Sequence, residues 1–181
     1  MKILKKEILK NGRCHIYFCN IKIASYNIKT KKNAYILKIL GDLIVDSTAE
    51  IKEGCVLQNG AGEKIIIGKN VQLNPYVIIY GGNVTIKDNC MIAPHVVITT
   101  ANHDFVQIEK PMRFAGIVDN SDLIIEEDVW IGANASIIAG VKRIGKGAVI
   151  GANSVVNKPI PDFAIVVGAP AKIIGYRNIK D

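Results

Sequence analysis

The chain has 181 residues, 49% of them hydrophobic and 22% charged, which excludes a disordered tail and fits one domain with or without an appendage. Aromatic residues make up only 6% while Ile and Val abound, so the core has to be built from β-branched aliphatics. The formal charge of +7 is unevenly placed: residues 1–40 carry ten basic groups and one acidic group, Glu7, and the remainder carries thirteen against fifteen. An almost neutral body argues against a nucleic-acid partner.

No apolar run approaches the roughly 18 residues needed to span a bilayer, and residues 1–10 lack the continuous apolar stretch of a secretory signal. The four cysteines, at 14, 19, 55 and 90, include no C-x-x-C pair. A cytoplasmic protein with reduced thiols is expected.

Residues 1–44 form a basic N-terminal segment, predicted to begin with a short helix and to continue in strand-like stretches at 15–18 and 21–23. Its cations are Lys2, Lys5, Lys6, Lys10, Arg13, Lys22, Lys29, Lys31, Lys32 and Lys38. A solvated cap that blocks an open sheet end is the simpler role for it. Residues 1–40 also suit peripheral contact with an anionic membrane surface, here the inner membrane. Cys14 and Cys19 are read as packing residues, and His15 has no supporting context.

From Ile51 onward an aliphatic residue recurs every six positions: Ile51 and Leu57; Ile67, Leu73 and Ile79; Ile86, Ile92 and Ile98; Ile125, Ile131 and Ile137; Ile144, Ile150 and Val156. Four positions after most of these stands a small or β-branched residue, as at Cys55, Val71, Val77, Cys90, Val96, Val129, Ala135, Val141, Ala148 and Ser154. Neither a helix nor an ordinary strand repeats in sixes. A short strand followed by a tight corner does, with Gly68-Lys69-Asn70 and Gly132-Ala133-Asn134 supplying turn residues. Coils of about 18 residues then stack as a parallel β-helix around an aliphatic column. Cys55 and Cys90, in the small-residue slot, are expected to be inert core groups.

The pattern breaks at Ile98-Thr99-Thr100-Ala101-Asn102-His103, where Asn102 takes a slot meant for a small apolar residue. A polar break in a consistent pattern is where function is sought. Residues 104–122 follow with no repeat, and a loop that long in a compact fold tends to be functional. His103, outward at its base, is a candidate general base or else a surface histidine bonded to the loop. His95 is expected outward at a turn. The repeat resumes at Ile125, with the single tryptophan, Trp130, before Ile131-Gly132. No phosphate-binding loop or dinucleotide fingerprint is present.

The stretch I-K-D-N-C-M-I-A-P-H-V-V-I-T-T-A-N-H-D from Ile86 resembles the matching block of maltose and galactoside acetyltransferases. So does I-E-E-D-V-W-I-G-A-N-A-S-I-I-A-G-V from Ile125, and so do I-G-K-G-A-V-I-G-A-N-S-V-V-N-K-P-I-P and V-G-A-P-A-K-I-I-G beyond it. The chain is thus similar to the hexapeptide-repeat acyltransferases over roughly residues 45–178. The resemblance implies a mainly β fold: a left-handed parallel β-helix at 45–158 with an excursion loop at 104–122, and a C-terminal segment at 159–181 near coenzyme A. It further implies acetyl-CoA as co-substrate, no metal, a saccharide acceptor, and a homotrimer with active sites between subunits.

By the same resemblance His103 is the base that deprotonates the acceptor hydroxyl, and the backbone N–H of Ala133 stabilises the oxyanion. Asn74, Asn102, Asp104 and Trp130 contact the acceptor. Gly132, Ala133, Ala139, Ala152, Lys158, Ala169, Pro170, Lys172 and Arg177 line the coenzyme A path, the cations approaching its phosphates. The family's acidic residue a few positions after Asn74 is replaced here by Tyr80-Gly81-Gly82, which points away from a maltose or galactoside acceptor. The long loop looks more like that of enzymes of surface polysaccharide and lipopolysaccharide assembly. Three other readings remain open: N-acetylation of an amino sugar or nucleotide sugar, a zinc protein like the β-helical carbonic anhydrases using His95, His103 and a third ligand such as His15, and a non-catalytic scaffold.

Overall fold

The computed structural model describes residues 4–8, 13–18, 21–27, 36–39, 41–60, 62–118 and 121–177, with side chains from Gly41 onward. Between Ile36 and Val167 the chain winds as a left-handed parallel β-helix of about 5 turns. It lays down one short strand on each of three faces in rotation. The first face stacks Ile36–Ile39, Val56–Asn59, Ile78–Tyr80, Val97–Thr99, Ser136–Ile137 and Val155–Val156. The second stacks Asp42–Val45, Lys64–Ile67, Val84–Ile86, Leu123–Ile125 and Arg143–Ile144. The third stacks Glu50–Ile51, Gln72–Leu73, Met91–Ile92, Trp130–Ile131, Val149–Ile150 and Ala164–Val167, and is closed by the antiparallel strand Lys172–Tyr176.

The six-residue spacing becomes a column because parallel pairing sets like on like. On the first face Leu57, Ile79, Ile98, Ile137 and Val156 are partners in register. Of the fourteen aliphatic phase residues only Ile51, at the open end, is partly buried; the other thirteen are at most 1% exposed. Each such side chain contributes roughly 1.5–3 kcal/mol by leaving water.

The small slot lies at the corners and is buried at all ten positions. Cys55 and Cys90 do more than fill it: their thiols donate to Asn74 O at 3.2 Å and Glu126 O at 2.9 Å, carbonyls of the next coil. Burial pushes both thiols up, Cys90 to about 11, so neither is a ready nucleophile.

The residue just before the small slot turns the corner in the left-handed region. Asn70, Asn89, Asp128, Asn134 and Asn153 do so at φ of 53–62°, a conformation Asn and Asp tolerate better than most residues. At the second-to-third corner a ladder of charges ties successive coils: Lys87 Nζ to Glu126 Oε2 at 2.6 Å, Arg143 Nε to Glu126 Oε1 at 3.2 Å, and Arg143 Nη2 to Asp162 Oδ1 at 2.6 Å. Hydrogen bonding to Lys87 holds Glu126 below the usual carboxylate range, and Arg143 does the same for Asp162.

Three expectations are corrected. The first ten residues hold a strand, Leu4–Ile8, in an antiparallel meander with Arg13–Phe18 and Ile21–Asn27, in place of a helix. Pairing from Leu4 with Phe18 to Ile8 with Cys14 satisfies its backbone and overrides local preference. The β-helix also begins before residue 45, because Ile36–Ile39 and Asp42–Val45 already pair with the next coil, and it runs past 158, because Ile160 bridges Ile144 and Ala164–Val167 pairs with Val149–Ile150. The expected roles of Cys14, Cys19 and the basic side chains of residues 1–40 lie outside the described residues.

Candidate functional site

The excursion leaves the helix at the first-to-second corner, and it carries structure of its own. Asn102–His103 pairs antiparallel with Ile117–Val118, and a 3-10 turn spans Met112–Phe114. His103 stands exposed at the base of this ribbon, its Nδ1 3.3 Å from Gly116 O. A carbonyl only accepts, so Nδ1 carries the proton and Nε2 is left as the basic nitrogen. Asn102 Oδ1 accepts the N–H of His103 at 2.9 Å. Asp104 Oδ1 accepts the N–H groups of Val106 at 3.1 Å and Gln107 at 3.3 Å, so it fastens the loop. Phe105, Val106, Ile108, Met112, Phe114 and Ile117 are all exposed on the arm. Register from Ile98 to Ile137 to Val156 sets Ala139 and Lys158 on this same corner, one and two rungs beyond Thr100.

Asn74, Trp130, Gly132, Ala133 and Ala152 lie at or beside the third-to-first corner. Register aligns Lys52, Asn74, Ala93, Gly132 and Gly151 as its first column, and Glu53, Pro75, Pro94, Ala133 and Ala152 as its second. From Ala93 onward neither column carries a side chain larger than the proline ring, and the last two rungs are bare backbone edged by methyls. Proline has no N–H at 75 and 94, whereas the N–H groups of Ala133 and Ala152 hydrogen-bond to no group among the described residues. Gly132 differs: its N–H donates to Ile150 O at 2.8 Å, and its carbonyl accepts from Ala135. Its contribution is closeness, since a Cβ there would sit 2.6 Å from Ala152 N. Trp130 is half exposed on the third face between Met91 and Val149.

The remaining assigned residues divide between this corner and another. Ala169 and Pro170 form the turn after Ala164–Val167, where Gly168 O and Ala171 N both bond to Val155 at the end of the third-to-first corner. Lys172 is exposed on the last strand. Arg177 is at the second-to-third corner, its Nη1 bonded to Asp128 Oδ2 at 2.8 Å and Gly147 O at 3.0 Å. The predicted site is therefore not assembled within one chain. His103, Ala139 and Lys158 lie on one edge of the prism, Asn74, Ala133 and Ala152 on another, and the width of the first face separates them.

Lys52 and Tyr76 were not singled out from sequence, yet they flank Asn74. Lys52 Nζ donates to Asn74 Oδ1 at 2.9 Å, and the Tyr76 ring stacks on His95. The sequence signal was the alignment of Gly54 with Tyr76 at one turn position, which requires the coil register to be known first.

Two family models match the chain, the hexapeptide repeat of succinyl-transferase over residues 122–158 and the bacterial transferase hexapeptide over residues 64–100. A Saccharomyces cerevisiae protein named an acetyltransferase is 37% identical over 167 residues, covering 89% of this chain and 81% of its own length. Galactoside O-acetyltransferase of Lactococcus lactis is 33% identical over 146 residues, covering 77% and 68%. Among solved structures, a variant of AntD, an N-acyltransferase from Bacillus cereus in complex with dTDP and coenzyme A, superposes with a TM-score of 0.71 at 26% identity over 84% of this chain and 82% of its own.

Proposed function

The chain belongs to the hexapeptide-repeat acetyltransferases, and from that premise we propose that it moves acetyl from acetyl-CoA to a saccharide hydroxyl, at sites completed by neighbouring chains of a homotrimer. The observation that carries this reading is the division of labour between two corners: among the described residues, a histidine whose Nε2 has no partner stands on one and a backbone N–H without a partner on the other.

The third-to-first corner of one chain, brought against the first-to-second corner of the next, unites them. His103 Nε2 then takes the acceptor's hydroxyl proton as that oxygen bonds to the thioester carbon. The N–H of Ala133 donates to the carbonyl oxygen as it gains negative charge. The carbon–sulfur bond breaks, and His103 returns the proton to the departing sulfur, so the histidine ends as it began. The pantetheine arm runs along the bare rungs of Ala133 and Ala152 and past Ala139. Lys158 and Lys172 lie toward the C-terminal end of these edges, where the phosphates belong, with Ala169-Pro170 beside the adenine. Arg177, tied to Asp128, has to leave that partner to join them. Asn102, Asp104 and Trp130 surround the acceptor mouth, the two loop residues by shaping the base of the arm.

The test is release of free CoA from acetyl-CoA across matched hydroxyl and amino sugars. Turnover with hydroxyl acceptors supports the proposal. The similarity to an N-acyltransferase structure favours one second reading, N-acetylation of an amino sugar, and preference for amines in the same panel would replace O-acetylation with it.

A further inference from the structure

On the corner that carries Ala133, two aromatic side chains stand where neighbouring rungs have Gly or Asn. Tyr76 and His95 hold φ of 63° and 60°, and the same turn position is Gly54, Asn134 and Asn153 on the other rungs. A tyrosine rarely adopts this conformation, and histidine does so less often than glycine. Phe163 does so near the end of the coil, where it covers Gly147. Tyr76 and His95 have no place in the core: both are exposed, with ring centroids 5.1 Å apart and planes within 10°. Tyr76 also lies over Gly54, where a Cβ would collide with its ring. With the faces of the pair stacked, their edges remain open, presenting a phenol hydroxyl and imidazole nitrogens. Residues held in such sparsely populated backbone conformations cluster at functional sites.

A cation stands beside this edge. Lys52 Nζ is drawn one rung up the corner by its bond to Asn74 Oδ1. Asn74 is itself fixed, its Nδ2 donating to Ile92 O at 2.9 Å and Gln72 Oε1 at 3.3 Å. Glu50 accepts from Gln72 Nε2 at 3.1 Å, and Glu53, next in sequence to Lys52, is exposed. Lys52 makes no ion pair with either among the described residues. Its ammonium thus keeps two donors for a ligand.

We infer that Lys52 and the Tyr76–His95 edge recognise an acidic saccharide, the ammonium binding a carboxylate or phosphate on the acceptor and the aromatic edge lying along its ring. The inference rests on the acetyl-transfer reading above. The Asn74 rung, which Lys52 Nζ reaches, is two rungs from Ala133, about 10 Å at the spacing of paired strands. That distance accommodates one sugar ring between its anionic substituent and the hydroxyl that reacts. A charge-assisted bond at the far end then selects the acceptor without touching the reacting atoms.

Calorimetric binding to the full-length protein tests it, with three probes: a tetrasaccharide of alternating glucuronate and N-acetylglucosamine, its carboxyl-reduced counterpart, and UDP-N-acetylglucosamine. The wild type is expected to bind at least one charged probe tenfold or more tighter than the reduced tetrasaccharide, and Lys52→Gln to bring that ratio below twofold. Whichever charged probe responds identifies carboxylate or phosphate as the anion. Tyr76→Asn and His95→Asn, which install the residue used at Asn134 and Asn153, should keep the melting temperature and weaken binding of the responsive probe about tenfold. Equal affinity for charged and reduced probes, or a preference indifferent to Lys52→Gln, overturns the inference. Acetyl transfer is followed in parallel. Transfer to neutral acceptors alone overturns the inference and leaves the proposed function standing, whereas Lys52-dependent binding without transfer to any acceptor does the reverse.

Discussion

In the proposed reaction His103 and Ala133 act through single atoms, and each can be removed with little harm to the fold. The His103 side chain is exposed and its ring is held by one bond to Gly116 O. His103→Ala is therefore expected to leave the melting temperature unchanged and to lower kcat/KM by roughly 10²–10⁴, the usual contribution of a general base; steady-state release of CoA measures it. Ala133→Pro is a cleaner test, because Pro75 and Pro94 already occupy the same corner position on earlier rungs. The substitution should keep the coil and remove only the N–H, lowering kcat by about 10²–10³ with native circular dichroism. His103 stood out in the sequence as a candidate because it follows a polar residue in an apolar slot. Lys52 and Tyr76 did not. Their meaning depends on Asn74 and Gly54, each 22 residues away, which only the stacking register brings alongside.

The corners decide which elements tolerate change. Where one coil packs directly on another, a methyl group has no room: a Cβ on Gly145 would collide with the backbone of Pro161 and Asp162, whereas one on Gly175 meets nothing within 4 Å. Gly145→Ala is expected to destabilise by about 1–3 kcal/mol through overpacking, and Gly175→Ala to stay within about 0.5 kcal/mol, both by chemical denaturation. The charge ladder gives the second-to-third corner a pH dependence. Glu126 and Asp162 are lowered in the folded state from ordinary values of 4.5 and 3.8, so their contribution is complete above those values and lost as pH falls through the lowered ones. Denaturation midpoints should fall on acidification below about pH 4.5, and less steeply in Glu126→Gln. A flat profile in the wild type would remove the ladder from the stability of the fold. The excursion shows the limit of pattern at this scale. Residues 104–122 have no repeat, and the short ribbon at their base arises from pairing of Asn102–His103 with Ile117–Val118, which no periodicity announces.

For the molecule as a whole, the sequence carried the β-helix almost completely, because burial repeats with the same period as the coil: thirteen of fourteen phase residues form the inner column. Its ends were harder. The first strands on the first two faces precede the regular spacing, and at Pro159 the phase slips before Ile160 and Val166 resume the column. In the N-terminal meander the strand-like stretches at 15–18 and 21–23 were legible, whereas the first strand, Leu4–Ile8, reads as a helix because its pairing is set by cross-strand register. The candidate residues could be named from the sequence and the resemblance implied sites between subunits, whereas which of them share an edge of the prism came from the coil register. Under the proposed function the division between two edges makes assembly part of the chemistry, since a closed ring of identical chains would repeat one heterologous contact and complete every site alike. Co-assembly of His103→Ala chains with Ala133→Pro chains tests this most directly. If each site takes its base from one chain and its N–H donor from the next, equal random mixing restores about a quarter of wild-type turnover from two nearly inactive parents. Mixed assemblies no more active than the parents would contradict a site shared between chains.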